Sequence, residues 1–93
     1  MALSPSGIDS IAAQASQLYA AGTRRDAIVK ALKQRFQGLT ITGCLESDLS
    51  DEPYREEPSY LLYLVDSHDH CWKVTREPAR ATGIVIAERE DEA

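Results

Sequence analysis

The chain has 93 residues, is 43% hydrophobic and 27% charged, and carries a formal net charge of −5. That length admits one domain with one modest core, and no apolar run approaches the roughly 20 residues that cross a bilayer. An acidic balance repels nucleic acid and anionic lipid, so only a local basic stretch can argue for either.

The start, Met1 to Gly7, lacks the basic and apolar regions of a secretory signal. It is expected to be a frayed leader on a cytoplasmic protein. Ser4 or Ser6 can cap a helix beginning near Ile8. From Ile8 to Ala21, the residues Ile8, Ile11, Ala12, Ala15, Leu18 and Tyr19 recur at helical steps and form one apolar stripe. Gly22 stops that helix at a left-handed position. Thr23-Arg-Arg-Asp26 is a capping-box-like start for a second helix, with Asp in place of the usual Glu. Ala27, Ile28, Ala31, Leu32 and Phe36 give its apolar face, and Gly38 ends it. So short a connection predicts an αα-hairpin.

Leu39 to Glu46 alternates as a half-buried strand, and Gly43 marks a bulge or a close approach. The segment 46–58 is an acidic loop, long for a connector in so small a domain. Ser59 to Asp66 is the longest apolar run, with Tyr60, Leu62 and Leu64 on one face and Leu61, Tyr63 and Val65 on the other. A strand apolar on both faces is central. Asp66 to His70 reads as a turn, Cys71 to Arg76 as a strand, Glu77 to Thr82 as a turn with Pro78 barring continuation, and Gly83 to Glu88 as the last strand. Residues 89–93 form an acidic tail.

These elements predict a single α+β domain over 1–93. Its N-terminal αα-hairpin packs on a small, mostly antiparallel sheet of three to four strands in αα-ββββ order, the last three strands forming a meander. With strands in chain order, Cys44 and Cys71 flank the central strand, roughly 10 Å apart. That exceeds the α-carbon separation of about 7 Å that a disulfide tolerates, so both cysteines are expected as free thiols.

Three stretches carry candidate chemistry. The acidic loop holds Asp48, Asp51, Glu52, Glu56 and Glu57 around Tyr54. An exposed Tyr among acids suits a protein interface, whereas a solubilising loop would fold its Tyr back on the sheet. The turn after the central strand sets His68 and His70 beside Cys71, which are zinc or iron ligand types without a recognised zinc spacing. His70 and Cys71, as neighbours in a strand, would point to opposite faces and make no nucleophile pair. The helix-Gly-helix unit resembles a helix-turn-helix with Thr23–Arg35 as recognition helix, bearing Arg24, Arg25, Lys30, Lys33 and Arg35. Arg24, Arg25 and Arg35 fall near the apolar stripe, however, and the outward face mixes Asp26 and glutamines with its lysines. Two short helices also leave sheet surface to cover. Tyr60, Leu62, Leu64 and Val85 are the residues expected to form an open face for a partner or a second copy.

Leu62 to Asp66, His70-Cys71 and above all Ala81 to Glu88 resemble a family of small bacterial proteins of no assigned activity, associated with nitrogen-fixation gene neighbourhoods. The resemblance implies a bacterial cytoplasmic accessory protein serving a metalloenzyme. It also directs attention to His70 and Cys71.

The leading expectation is a non-catalytic interaction protein that binds a protein partner through the acidic loop and an exposed sheet face, without a cofactor. The alternatives are a zinc- or iron-binding accessory site at His68, His70 and Cys71, and nucleic-acid binding by the second helix, which the acidic balance disfavours.

Overall fold

The computed structural model describes residues 4–67 and 73–89. Helix α1 spans Pro5–Ala20. It starts inside the expected leader because Ser4 caps it, its hydroxyl accepting from the Gly7 N–H at 3.1 Å, with Pro5 preset for the first turn. Ile8, Ile11, Ala12 and Ala15 are its buried stripe. It ends in a Schellman motif. Gly22, at φ 84°, donates to the Tyr19 carbonyl at 3.0 Å, and the Thr23 N–H reaches the Leu18 carbonyl at 2.9 Å.

That motif explains why the expected capping box fails. Thr23 is committed to closing α1, so α2, Arg25–Arg35, has Arg24 at its N-cap and no side-chain cap. Asp26 Oδ1 instead accepts from the Ala27 N–H at 3.0 Å. Ile28 and Leu32 are the buried residues of α2, which packs on α1 and on the first strand.

The strands are β1 Thr40–Leu45, β2 Arg55–Glu56, β3 Tyr60–Asp66, β4 Lys73–Thr75 and β5 Gly83–Glu88. They form one five-stranded mixed sheet in the order β1-β5-β3-β2, with β4 also paired to β3. The expected count of three to four strands and the closing meander are thus corrected, while the sheet is mostly antiparallel as expected, with β1–β5 its parallel pair. β5 does not pair with β4. It crosses to the other side of β3, pairing antiparallel from Tyr60↔Glu88 to Val65↔Gly83, while β2 and β4 share the opposite side end to end. The crossing is made by a 3-10 turn at Pro78–Arg80, and the Thr82 N–H then bonds the Val65 carbonyl at 2.8 Å.

β1 pairs with β5 in parallel, from Thr40↔Gly83 to Leu45↔Glu88. Cys44 therefore lies beside Ala87, two strands from β3 rather than next to it. The expected flanking of the central strand by Cys44 and Cys71 does not hold on the Cys44 side, and Cys71 lies outside the described residues. Two close approaches fix this edge. A Cβ on Gly83 would sit 2.6 Å from the Thr40 carbonyl oxygen, and one on Gly43 would sit 2.8 Å from Val29 Cγ2 of α2.

The helices bury Ile41, Tyr60, Leu62, Leu64, Ile84 and Ile86 on one face of the sheet. The other face carries Leu61, Tyr63, Val65, Val85 and Ala87. Neither face is open. Tyr60, Leu62 and Leu64 are 0% exposed beneath the helices and Val85 is 3% exposed. Among the described residues Cys44, Leu49 and Val74 pack on the second face. The expected open face of Tyr60, Leu62, Leu64 and Val85 is corrected accordingly: the segment after β1 supplies cover that two helices cannot.

Candidate functional site

The acidic segment is a ribbon fastened to the sheet at four points. Glu46–Asp48 forms a 3-10 turn, with Asp48 Oδ2 accepting from the Leu45 N–H at 3.1 Å. Leu49 packs on the second sheet face. The Tyr63 hydroxyl donates to the Asp51 carbonyl at 2.9 Å. The Tyr54 N–H donates to the Leu62 carbonyl at 2.9 Å and leads into β2, an edge strand.

This anchoring divides the expected partner-binding residues. Asp48, Asp51, Glu52 and Glu56 are exposed. Glu52 meets Arg76 at 2.9 Å with both side chains open to water, a weak pair, and Glu56 lies 3.8 Å from the half-buried Arg89. Glu57 is half-buried and binds the Arg55 guanidinium, which also holds Asp9 of α1 at 2.6 Å. The bonds from Glu57 and Asp9 raise the Arg55 pKa. Arg55 is thus the fastening between β2 and α1, and Glu57 braces its guanidinium. Tyr54 is half-buried against the helix-side core, so it is not an exposed anchor. Its place on the wrong side of the ribbon comes from the pleat: next to β2, side chains alternate between the faces.

Cys44 is half-buried, and burial pushes its thiol above its ordinary pKa, with Asp48 adding to the shift. Little thiolate is present at neutral pH, which makes Cys44 a poor nucleophile. His68, His70 and Cys71 lie outside the described residues. Among the described residues no group of three or more His, Cys, Asp or Glu side chains is placed to hold a metal. On α2, Arg24, Lys30, Lys33 and Arg35 are exposed and Arg25 is half-buried. Arg24 and Arg35 therefore stand further from the core than the helical wheel implies.

A second feature was not legible in the sequence. A groove of about 800 Å³ opens where the α1–α2 turn meets the ends of β3 and β5. Its walls are Tyr19, Gly22 to Asp26, Pro58 and Ser59, and Glu88 with Arg89. Tyr19 stacks on Tyr60 with ring centroids 5.3 Å apart, and its hydroxyl donates to Glu88 Oε1 at 3.3 Å. Burial, and then the Glu88 carboxylate, hold the Tyr19 phenol above its ordinary pKa. Arg89 Nε donates to the Glu57 carbonyl at 2.7 Å, tying the groove wall to the end of the ribbon.

Residues 13–89 match a family of unknown function, DUF6129. The chain belongs to DUF6129. The match runs from within α1 through β5, so the acidic ribbon and the groove both fall inside the DUF6129 region. No curated protein and no solved structure matches the chain. Among the described residues no helix is long and apolar enough to cross a membrane.

Proposed function

We propose that this DUF6129 protein is a non-catalytic interaction protein that docks a basic surface of a protein partner on its acidic ribbon. The supporting observation is that Asp48, Asp51, Glu52 and Glu56 are exposed on a ribbon whose backbone is held at Asp51 and Tyr54. A held backbone lowers the ordering cost of binding, and exposed carboxylates supply the long-range attraction that steers association. The docking surface is the ribbon alone, because the sheet face is already covered.

The likeness of Ala81 to Glu88 to proteins of nitrogen-fixation neighbourhoods supports placing this protein in the bacterial cytoplasm as an accessory to a metalloenzyme. The zinc- or iron-binding alternative at His68, His70 and Cys71 falls outside the described residues and gains no support from the fold. Nor does nucleic-acid binding by α2, whose outward lysines share their face with Asp26.

The test uses the full chain as bait in native bacterial extract, followed by affinity measurements on the captured protein across a salt series. The Asp51→Lys, Glu52→Lys double variant should weaken binding and flatten its salt dependence. Unchanged affinity at low salt would remove the ribbon from the interface.

A further inference from the structure

We infer that the groove between the α1–α2 turn and the ends of β3 and β5 is a binding site for a phosphate-bearing small molecule. Arg24 and Arg25 enter it from the helix connection and Arg89 from the end of β5. In a protein of net charge −5, guanidinium groups ordinarily find carboxylates. Here neither Arg24 nor Arg25 forms an ion pair among the described residues.

The groove also contains two carboxylates, and both are engaged. Glu88 accepts from the Tyr19 hydroxyl at 3.3 Å, and Asp26 Oδ1 accepts from the Ala27 N–H at 3.0 Å. Arg89 lies 3.8 Å from Glu56, so the guanidinium groups left without a carboxylate partner are Arg24 and Arg25, whose planar forks match phosphate oxygens two at a time.

Neighbouring contacts hold two of the three arginines in place. The Arg25 stem lies on β1 at Gly43, with its Cγ and Cδ 3.1 Å and 3.2 Å from where a Cβ would stand. Arg89 is fixed by its bond to the Glu57 carbonyl at 2.7 Å. Arg24 is exposed at the mouth. The groove, of about 800 Å³ and open to solvent, has room for a molecule larger than a bare phosphate, such as a sugar phosphate. The oxygens of Glu88 and the Ser59 hydroxyl then face the sugar hydroxyls. The site adjoins the end of the acidic ribbon through Arg89, but Arg24 and Arg25 lie outside the ribbon, so substitutions there test the groove without altering the ribbon carboxylates.

The test is a titration of the ¹⁵N-labelled full chain with ribose 5-phosphate, with sodium chloride at matched ionic strength as control. The expected result is saturable shifts at Gly22 to Asp26, Ser59 and Arg89. They should be lost in the Arg24→Gln, Arg25→Gln double variant, whose β3 amide signals report that it is folded. The single Arg24→Gln variant, altered only at an exposed side chain, should weaken binding about tenfold. Inorganic phosphate should shift the arginine-side signals and leave Ser59 unmoved. Shifts reproduced by chloride, saturable shifts that survive the double variant, or unchanged affinity in Arg24→Gln would each overturn the assignment.

Discussion

The Tyr63 hydroxyl donates to the Asp51 backbone carbonyl at 2.9 Å, joining the middle of the central strand to the middle of the acidic segment. This bond and the packing of Leu49 turn a run of mutually repelling carboxylates into a cover for the second sheet face. Tyr63→Phe keeps the ring and removes the bond. It should cost about 1 kcal/mol in urea unfolding and speed amide exchange around Asp51 while β5 stays protected. Unchanged exchange around Asp51 would show that Leu49 alone seats the ribbon.

The parallel edge depends on Gly83. Its missing Cβ admits the Thr40 carbonyl oxygen at a distance, 2.6 Å, that no side chain allows. Gly83→Ala should destabilise the protein by about 1–3 kcal/mol through overpacking against backbone. Gly43→Ala meets mainly the Val29 and Arg25 side chains, which can shift, so it should cost less. Equal losses in chemical denaturation would contradict this ranking.

Tyr19, Tyr60 and Tyr63 all have phenols raised above the ordinary value of 10.0, burial being the largest cause in each. The Tyr60 hydroxyl donates to the Ala12 carbonyl at 3.0 Å, a bond that needs its proton. A folded pKa above the unfolded one gives stability that is complete below the unfolded value and lost as pH rises through the folded value. The protein should therefore weaken above about pH 10. Measured by thermal melts, Tyr63→Phe should show a smaller alkaline loss than the parent chain. An equal loss would assign the alkaline sensitivity to other groups.

The Asp51→Lys, Glu52→Lys variant should fold with near-parental stability. The Glu52–Arg76 pair it breaks has side chains 80% and 63% exposed, a setting in which ion pairs contribute little. A melting curve close to the parent's is the expected outcome. A large drop would mean that these carboxylates hold the fold, and charge reversal would then be unsuited to probing the interface.

The sequence by itself determined the local elements. Apolar spacing from Ile8 to Leu18 and from Ala27 to Phe36 suffices for two helices; Gly22, at positive φ, ends the first, whereas the second ends at Arg35 with Phe36 as its C-cap, two residues before Gly38. The run from Tyr60 to Val65 is apolar on both faces, which requires a strand covered twice. These are properties of neighbours in the chain. What only the tertiary structure decided involves distant partners. Whether β5 comes beside β4 or crosses β3 depends on a turn closing on Val65 and on a glycine fitting against Thr40. Both hairpin and crossover satisfy the same alternation.

The same limit applies to the candidate sites. Charge density located the ribbon. Which carboxylates face water, and that Glu57 and Tyr54 turn inward, depended on Arg55, Asp9 and the pleat of β2. The groove joins a helix turn, the end of one strand and the start of another. Arg24 and Arg89 come to line one groove only after the sheet has brought β5 beneath the helices, so no spacing in the chain records it.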